Sequence, residues 1–282
     1  MLKPLKIRGK LFDWEKGPYF MGILNITPDS FSDGGKYLSI DHALCQAERL
    51  LQEGADIIDV GGESTRPFAD PVPEDEELKR VIPVVKELRK AFPQAIISID
   101  TYKAKVAELA LKEGVDIIND ISALRFDKRM IEVAKDFACP VVIMHMQGTP
   151  KTMQISPRYQ DVVKEVKDFL QERKEYLIEQ GISEEKIIID PGIGFGKTFD
   201  HNITLLKNIT SFKEIGSPIL VGASRKGFIG EILKKTPPER DAGTVGVSIW
   251  CYLQGVNILR VHNVSFNKDA IEVFKVLQRG GF

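Results

Sequence analysis

The chain of 282 residues contains 43% hydrophobic and 28% charged residues and has a formal net charge of −1. This composition allows one large core, and the near-neutral charge excludes the electrostatic attraction on which nucleic-acid-binding and membrane-surface proteins depend. No apolar stretch is long enough to span a bilayer, and residues 1–8 lack the apolar core of a signal peptide. With three widely separated cysteines, we expect a cytoplasmic protein with reduced thiols that binds neither nucleic acid nor membranes.

The predicted elements begin with weak apolar–polar alternation over residues 1–18, which indicates a small β-hairpin that covers the bottom of the fold. Eight short apolar runs follow, most of them rich in β-branched residues and ending at polar residues, as expected for strands buried on both faces. The runs begin at residues 20, 57, 96, 117, 141, 187, 219 and 258. Helical apolar spacing occurs at residues 41–52, 74–91, 103–112, 127–136, 157–180, 204–209 and 242–254. This alternation predicts a (β/α)8 TIM barrel, formed as a single domain by residues 1–282.

Two connections between a strand and the next helix are too long for simple turns. Residues 26–39 are rich in Gly, Ser and Asp, and residues 64–73 contain three prolines. Loops of this length at a barrel mouth are usually functional, so we expect two lids. The acidic run at residues 74–77 lies where negative charge favours the start of a helix, and it needs no functional interpretation.

Polar side chains follow the third, fourth and sixth runs. Asp100, Asn119 and Asp190 stand at these ends, which a barrel gathers at one mouth. Carboxylates can accept paired N–H bonds from an aminopyrimidine edge, and an amide can both donate and accept, so this set suits a flat heterocycle. Taken singly, each aspartate has an alternative interpretation as a helix N-cap.

The seventh and eighth runs end in a glycine-containing segment and a basic segment. Lys226, Arg260 and His262 supply hydrogen-bond donors and positive charge where TIM barrels often bind phosphate. The set predicts an anionic group on the substrate, and the alternative is a solvated basic loop. Asn25, after the first run, is a candidate ligand for Mg²⁺ alongside substrate phosphates.

The glycine-rich segment at residues 190–198 resembles two nucleotide-binding motifs but matches neither. Pro191 stands where a P-loop needs glycine, and Lys197 stands where a dinucleotide fingerprint needs one. Its glycines are expected to let the backbone lie close to a planar ligand, with Phe195 packed nearby. We find no zinc-ligand spacing and no Ser–His–Asp or Cys–His arrangement, and His145 is expected to be a packed strand-end residue without a defined role.

Seven segments in this order resemble the dihydropteroate synthase family along almost the whole chain. They lie at residues 21–35, 59–67, 98–101, 118–120, 144–146, 190–197 and 224–226. Phe68 departs from the family pattern, which has a small residue there. The resemblance implies condensation of 6-hydroxymethyl-7,8-dihydropterin diphosphate with p-aminobenzoate in a homodimeric enzyme that sulfonamides inhibit.

The resemblance also implies a role for each matching side chain. The pterin would be held by Asp100, Asn119, Asp190 and Lys226. The diphosphate would be held by Asn25, Arg260 and His262, with Mg²⁺ at Asn25. The p-aminobenzoate site would be framed by Phe31, Thr65, Arg66, Pro67 and Ser224. Asp33 would lie on the closing first loop.

Two alternatives differ in what the barrel mouth must contain. A pterin-binding barrel that transfers methyl from methyltetrahydrofolate would share Asp100, Asn119 and Asp190, but it would need neither the diphosphate contacts nor the two long loops. A barrel that binds pterin without catalysis would be expected to lack Asn25, Lys226 or Arg260, and the sequence contains all three.

Overall fold

An antiparallel hairpin opens the structure, a computed structural model that describes residues 2–26 and 36–279. Its strands are β1 (Leu5–Ile7) and β2 (Lys10–Phe12). The hairpin falls within residues 1–18, where the sequence predicts one, and that prediction is confirmed.

Eight parallel strands form the centre of the fold. They are β3 (Tyr19–Asn25), β4 (Ile57–Gly61), β5 (Ile97–Asp100), β6 (Ile117–Asp120), β7 (Val141–Met144), β8 (Ile187–Asp190), β9 (Leu220–Val221) and β10 (Ile258–Val261). The spatial order is β8-β7-β6-β5-β4-β3-β10-β9, and a bridge between Ile189 and Ile219 brings β8 back to the other edge. The predicted barrel is therefore confirmed.

Helices alternate with the strands and cover the outside of the barrel. They are α1 (Lys36–Gln52), α2 (Glu74–Ala91), α3 (Ala104–Lys112), α4 (Arg129–Asp136), α5 (Val162–Glu179), α6 (Phe199–Lys207), α7 (Gly227–Leu233), α8 (Asp241–Leu253) and α9 (Val264–Arg279). Within the described residues, none of the helices is both long and apolar enough to cross a membrane.

Capping residues explain where two helices differ from prediction. Helix α5 begins later than the predicted residue 157 because the Asp161 side chain accepts from the first free backbone N–H groups. Helix α6 begins earlier than the predicted residue 204 because Thr198 and His201 form a capping box. Helices α7 and α9 have no counterpart among the predicted helices.

Side chains alternate between the barrel interior and the helical layer along each strand. On β4, Ile58 and Val60 pack in the core beneath the helices, whereas Ile57 belongs to a separate cluster inside the barrel. The same alternation directs Asp59 and Gly61 to the interior, above Ile57. A strand that reads as continuously apolar therefore brings one buried carboxylate into the centre of the barrel.

The N-terminal end of the barrel is filled by apolar side chains from the strand starts and from the hairpin. This cluster contains Leu5, Ile7, Phe12, Trp14, Met21, Ile57, Ile96, Ile117, Val142, Ile188, Leu220 and Ile258. These apolar side chains exclude water from the N-terminal end of the barrel. The polar interior residues lie above it, toward the C-terminal mouth.

Candidate active site

Strand register brings three of the predicted polar side chains to one level at the mouth. Asn25 on β3 pairs with Gly61 on β4, Gly61 with Asp100 on β5, and Asp100 with Asn119 on β6. A Cβ atom at Gly61 would lie 3.7 Å from Asp100 Oδ2 and 3.8 Å from Asn25 Oδ1. The glycine therefore leaves a space bordered by a carboxylate on one side and an amide on the other.

Arg260 on β10 reaches across this space and binds two carboxylates. Its Nε donates to Asp59 Oδ2 at 2.6 Å, and its Nη2 donates to Asp100 Oδ2 at 2.7 Å. Asn119 Nδ2 donates to the same Asp59 oxygen at 3.2 Å. Asp59 is fully buried, and its Oδ1 has no hydrogen-bond partner among the described residues. Sequence reasoning missed this role, although an aspartate inside an apolar strand is a recognisable signal.

The buried charges in this group shift one another's ionisation. Burial raises the pKa of Asp100 to about 7; Arg260 opposes the shift and the neighbouring carboxyl groups add to it. Burial alone would lower the pKa of Arg260, but Asp59 and Asp100 outweigh it and raise that pKa. One guanidinium therefore serves two carboxylates, and this group has an excess of negative charge suited to a cationic or N–H-rich ring.

Asp190 and Lys226 form a second polar group on the other side of the mouth. The Asp190 carboxylate accepts from Gly192 N at 2.7 Å, and Lys226 Nζ lies 3.9 Å from the centre of the Phe195 ring. Burial raises the pKa of Asp190, and the Gly192 bond and the charge of Lys226 oppose that shift. Burial lowers the pKa of Lys226 to about 7, and Asp190 opposes it. The structure therefore brings Asp190 and Lys226, two of the predicted site residues, close enough for each to affect the other's ionisation.

An apolar wall lies beside these polar groups. It is a small cluster separate from the main core, formed by Ile121, Met144, Met146, Met153 and Phe195, with Tyr102 packed against it. Phe195 is the one member that the sequence analysis anticipates as a site residue. Met144 pairs in register with Asp190, so the apolar and polar surfaces meet at the ends of β7 and β8. A planar ring with a hydrogen-bonding edge suits such a surface.

Ser224 and His262 meet at the ends of β9 and β10. Ser224 Oγ lies 2.9 Å from His262 Nδ1 and accepts from the His262 backbone N–H at 3.2 Å. Burial lowers the pKa of His262 to about 3, and neighbouring arginines lower it further. His262 therefore lies at the strand end where the sequence predicts it, and its lowered pKa favours a neutral ring that offers an N–H. The pair is no catalytic triad, because the Asp241 carboxylate binds Arg225 and Asn263.

The second long loop has an unusual backbone conformation at Phe68. This residue has φ +64°, a left-handed conformation that favours glycine, and its N–H donates to the Pro150 carbonyl at 3.1 Å. Glycine adopts this angle without strain, which accounts for the small residue expected at this position. Thr65 is half-buried, while Arg66 and Pro67 are exposed. The predicted residues Phe31 and Asp33 on the first loop lie outside the described residues.

Comparisons with known proteins agree with this geometry. The model of a family described as pterin binding enzyme matches residues 21–262. Dihydropteroate synthase of Haemophilus influenzae is 49% identical over 92% of this chain and 93% of that protein. The Escherichia coli dihydropteroate synthase is 45% identical over 93% and 91%, respectively. The chain belongs to the dihydropteroate synthase family.

Solved structures of dihydropteroate synthases show the same fold. The Yersinia pestis enzyme with a sulfonamide drug complex has a TM-score of 0.91 and 42% identity, covering 99% of this chain and 100% of that chain. The Xanthomonas albilineans enzyme in complex with 7,8-dihydropteroate has a TM-score of 0.87 and 39% identity, covering 98% and 99%. The resemblance drawn from the seven sequence segments is confirmed.

A buried ion network supports the base of the second loop in this dihydropteroate synthase barrel. Lys103, at the start of α3, donates to both Glu63 and Glu77, and Tyr102 OH donates to Glu63 at 2.7 Å. Burial raises the pKa of Glu77, and Lys103 opposes that shift. Glu77 is fully buried, so within the acidic run at residues 74–77 it forms part of this network in addition to its place at the start of the helix.

Replacement of Lys103 by methionine is expected to lower the free energy of unfolding by about 3 kcal/mol at pH 8, because it leaves buried carboxylates without a cation. The loss should be smaller at pH 5. In the variant the folded-state pKa of Glu77 rises further. At low pH Glu77 therefore takes up a proton on folding, and the neutral carboxyl group no longer needs the missing cation. Urea unfolding at both pH values measures this. Lys105→Met on the same helix is the matched control, since Lys105 is exposed, and an equal loss in both variants would contradict the prediction.

Asn25 fits the way in which proteins hold Mg²⁺ with phosphorylated substrates. The described residues contain no cluster of three His, Cys, Asp or Glu side chains suited to a metal ion. Mg²⁺ commonly binds one or two protein oxygens together with substrate phosphates and waters. Asn25 is exposed at the mouth, and its Oδ1 borders the same space as Asp100 Oδ2. One amide oxygen beside the space at Gly61 is consistent with Mg²⁺ held jointly by the protein, the substrate phosphates and water.

Proposed function

We propose that this chain condenses 6-hydroxymethyl-7,8-dihydropterin diphosphate with p-aminobenzoate to give 7,8-dihydropteroate and pyrophosphate. The proposal makes it a transferase of the folate pathway, in agreement with the names of its relatives. The observation that carries it is the convergence of Asp100, Asn119, Asp190 and Lys226 beside an apolar wall in one mouth. We further propose that residues 1–282 act as a single cytoplasmic domain.

The pterin site is proposed to lie between the two polar groups. Asp100 and Asp190 would accept N–H bonds from the ring, and Asn119 would both donate and accept. Asn119 is already oriented by its bond to Asp59, so less rotamer freedom is lost on binding. Lys226 would donate to a ring oxygen or nitrogen, with Phe195 beneath it.

The diphosphate site is proposed at Asn25, Arg260 and His262. Arg260 remains charged because of its two carboxylate partners, and its accessible edge would meet phosphate oxygens. His262 would donate through a neutral N–H. Asn25 would hold Mg²⁺, which when bound neutralises negative charge on the departing diphosphate. The relatives' activity is consistent with a divalent cation.

The p-aminobenzoate site is proposed at the outer rim, under the two loops. The residues assigned to it are Phe31, Thr65, Arg66, Pro67 and Ser224, with Asp33 on the first loop. Arg66 lies near enough to His262 for its charge to lower that residue's pKa, which is consistent with a rim site beside Ser224. A cation and a hydroxyl group suit the carboxylate of p-aminobenzoate.

The proposed reaction needs no covalent bond to the protein. The C–O bond to diphosphate breaks, and the positive charge on the exocyclic carbon spreads into the pterin ring. Asp100 would stabilise this charge electrostatically while Arg260 and His262 hold the leaving group. The aryl amine then forms the C–N bond and loses its proton. Closing loops would exclude water, which would otherwise attack the same carbon.

A homodimer is proposed as the assembly, with helices α7 to α9 as candidates for the interface. They carry large exposed apolar side chains, among them Ile232, Trp250, Leu253, Phe266 and Leu277. Helices α8 and α9 pack side by side, and α7 contacts α8. Exposed apolar patches of this kind commonly mark association sites.

The decisive assay supplies both substrates and Mg²⁺ and measures dihydropteroate and pyrophosphate together. We expect equal amounts of the two products, loss of both when Mg²⁺ is chelated, and competition between sulfonamides and p-aminobenzoate. A folded protein that binds pterin and forms neither product would reject the proposal. Methyl transfer from methyltetrahydrofolate, measured in parallel, tests the alternative that shares Asp100, Asn119 and Asp190.

A further inference from the structure

Lys197 lies at the end of the glycine-rich loop after β8, with only 2% of its surface exposed. Its Nζ donates to the carbonyl oxygens of Phe195 at 3.0 Å and His145 at 3.3 Å, and it lies 3.0 Å from His145 Nδ1. Burial lowers the pKa of His145 to about 2, so its neutral ring accepts a bond from the ammonium group. The Lys197 side chain therefore joins the end of β7 to the loop after β8.

The loop backbone curves closely around this side chain. Gly192 has φ +70°, and a Cβ atom there would lie 2.0 Å from the His145 carbonyl oxygen and 3.3 Å from Lys197 Nζ. The N–H of Gly192 donates to Asp190, so one turn carries both the aspartate and the wall of the Lys197 pocket. Burial lowers the pKa of Lys197 to about 7, and the charge of Asp190 opposes that shift.

Two features of the pterin pocket depend on this arrangement. The Phe195 carbonyl is bonded to Lys197, while the ring of the same residue faces Lys226 at 3.9 Å. Asp190 is faced by the cations Lys226, Lys197 and Arg260, each of which lowers its pKa against the effect of burial. Removing Lys197 would therefore affect both the position of the ring and the charge of the carboxylate.

We propose that Lys197 is a positioning residue of the pterin site, which holds the Phe195 ring against Lys226 and supplies a second cation beside Asp190. The inference rests on the proposed function, because it assigns pterin binding to Asp190 and Lys226. The ammonium group of Lys197 is already satisfied by three acceptors, so it acts through these neighbours and not by contact with the substrate.

The test is Lys197→Met, studied by calorimetric binding of the unreactive ligand pterin-6-carboxylate between pH 5 and 8 and by steady-state kinetics. We expect the pterin Kd at pH 6, where Lys197 is charged, to rise about 10-fold, while KM for p-aminobenzoate changes less than about twofold. The pH below which pterin binding weakens, the acid limb of the binding profile, should move to a higher value. Without one of its three facing cations, Asp190 has a higher pKa, so it loses its charge earlier as the pH falls.

Lys174→Met is the matched control. Lys174 is also buried, and its Nζ likewise donates to two backbone carbonyls, those of Ile215 at 2.7 Å and Gly216 at 3.2 Å. It lies on the outer helix α5. We expect Lys174→Met to lower thermal stability without changing the pterin Kd or the acid limb, which separates positioning from general support of the fold.

His145→Phe provides a milder second variant if Lys197→Met fails to fold. It keeps an aromatic ring against Phe169 and Tyr159 but removes the imidazole acceptor, so we expect a pterin Kd about threefold higher. Unchanged Kd values in every folded variant, or equal losses in Lys174→Met, would overturn the inference. Wild-type protein that binds pterin but makes no dihydropteroate would overturn the proposed reaction alone.

Discussion

Replacing Lys226 by methionine is expected to lower kcat/KM for the pterin diphosphate by about 100- to 1000-fold while leaving the folded protein as stable as the wild type at pH 6. The catalytic loss follows from removing a desolvated charge–ligand contact, which costs about 3–4 kcal/mol. Asp190 keeps its bond to Gly192 and the charge of Lys197 beside it, so the fold loses little.

The stability of this variant should depend on pH in a defined direction. The unfolded chain keeps the Lys226 proton to above pH 10, whereas burial lowers the folded-state pKa to about 7. Between these values the unfolded state binds more protons, so Lys226 makes the wild type more stable as the pH rises. The free energy of unfolding of the wild type should therefore exceed that of Lys226→Met by an amount that grows by roughly 1 kcal/mol per pH unit from pH 7 to 9. Urea unfolding at pH 6, 7, 8 and 9 measures this difference.

The control is His42→Ala, because His42 is exposed on helix α1. It should leave both kcat/KM and the pH dependence of stability at wild-type values. Equal kinetic effects in the two variants would contradict the assignment of Lys226 to the pterin site. A wild-type advantage that stays constant with pH would contradict the lowered pKa.

The barrel and the outer part of its site follow from local sequence patterns. Strands buried on both faces alternate with amphipathic helices, and few folds accommodate that order. The barrel then gathers every strand end at one mouth, so Asp100, Asn119 and Asp190 could be grouped without knowing their contacts. Position along the chain alone predicts this grouping, and the strand register supports it.

The supporting residues could not be predicted because their roles depend on distant partners and on burial. Asp59 is bonded to Arg260, 201 residues away in the chain, and β4 and β10 lie near each other only because both pair with β3. Glu77 lies in an acidic run that suits a helix start equally well, and its pairing with Lys103 depends on tertiary packing. The lowered pKa of His262 likewise results from burial, which no residue spacing reveals.

Arg260→Met is expected to have the largest combined effect on stability and activity. It removes the only cation bonded to Asp59 among the described residues and leaves that fully buried carboxylate facing Asp100. Breaking a buried pair in this way costs about 3–5 kcal/mol of folding free energy. Activity with the pterin diphosphate should fall more than about 1000-fold, because the same guanidinium is assigned to the leaving group.

A second substitution separates the two roles of Arg260. In the double variant Arg260→Met/Asp59→Asn, the amide removes the unpaired charge but still offers an oxygen to Asn119 Nδ2, which lies 3.2 Å from the Asp59 carboxylate. Stability should return to within about 1–2 kcal/mol of the wild type, whereas activity should stay lost, since no group replaces the cation at the diphosphate. Urea unfolding and steady-state kinetics on the same preparations measure both quantities.

The pH dependence of the single variant gives an independent check. Without Arg260, the folded-state pKa of Asp100 rises further above its unfolded value, so folding takes up a proton over a wider range. The stability deficit relative to wild type should therefore shrink as the pH falls from 8 to 5. Arg129→Met is the control, because Arg129 forms an exposed ion pair with Glu108 on the outer helices. If the double variant were as unstable as Arg260→Met, the loss would come from packing around the arginine stem and not from an unpaired buried charge.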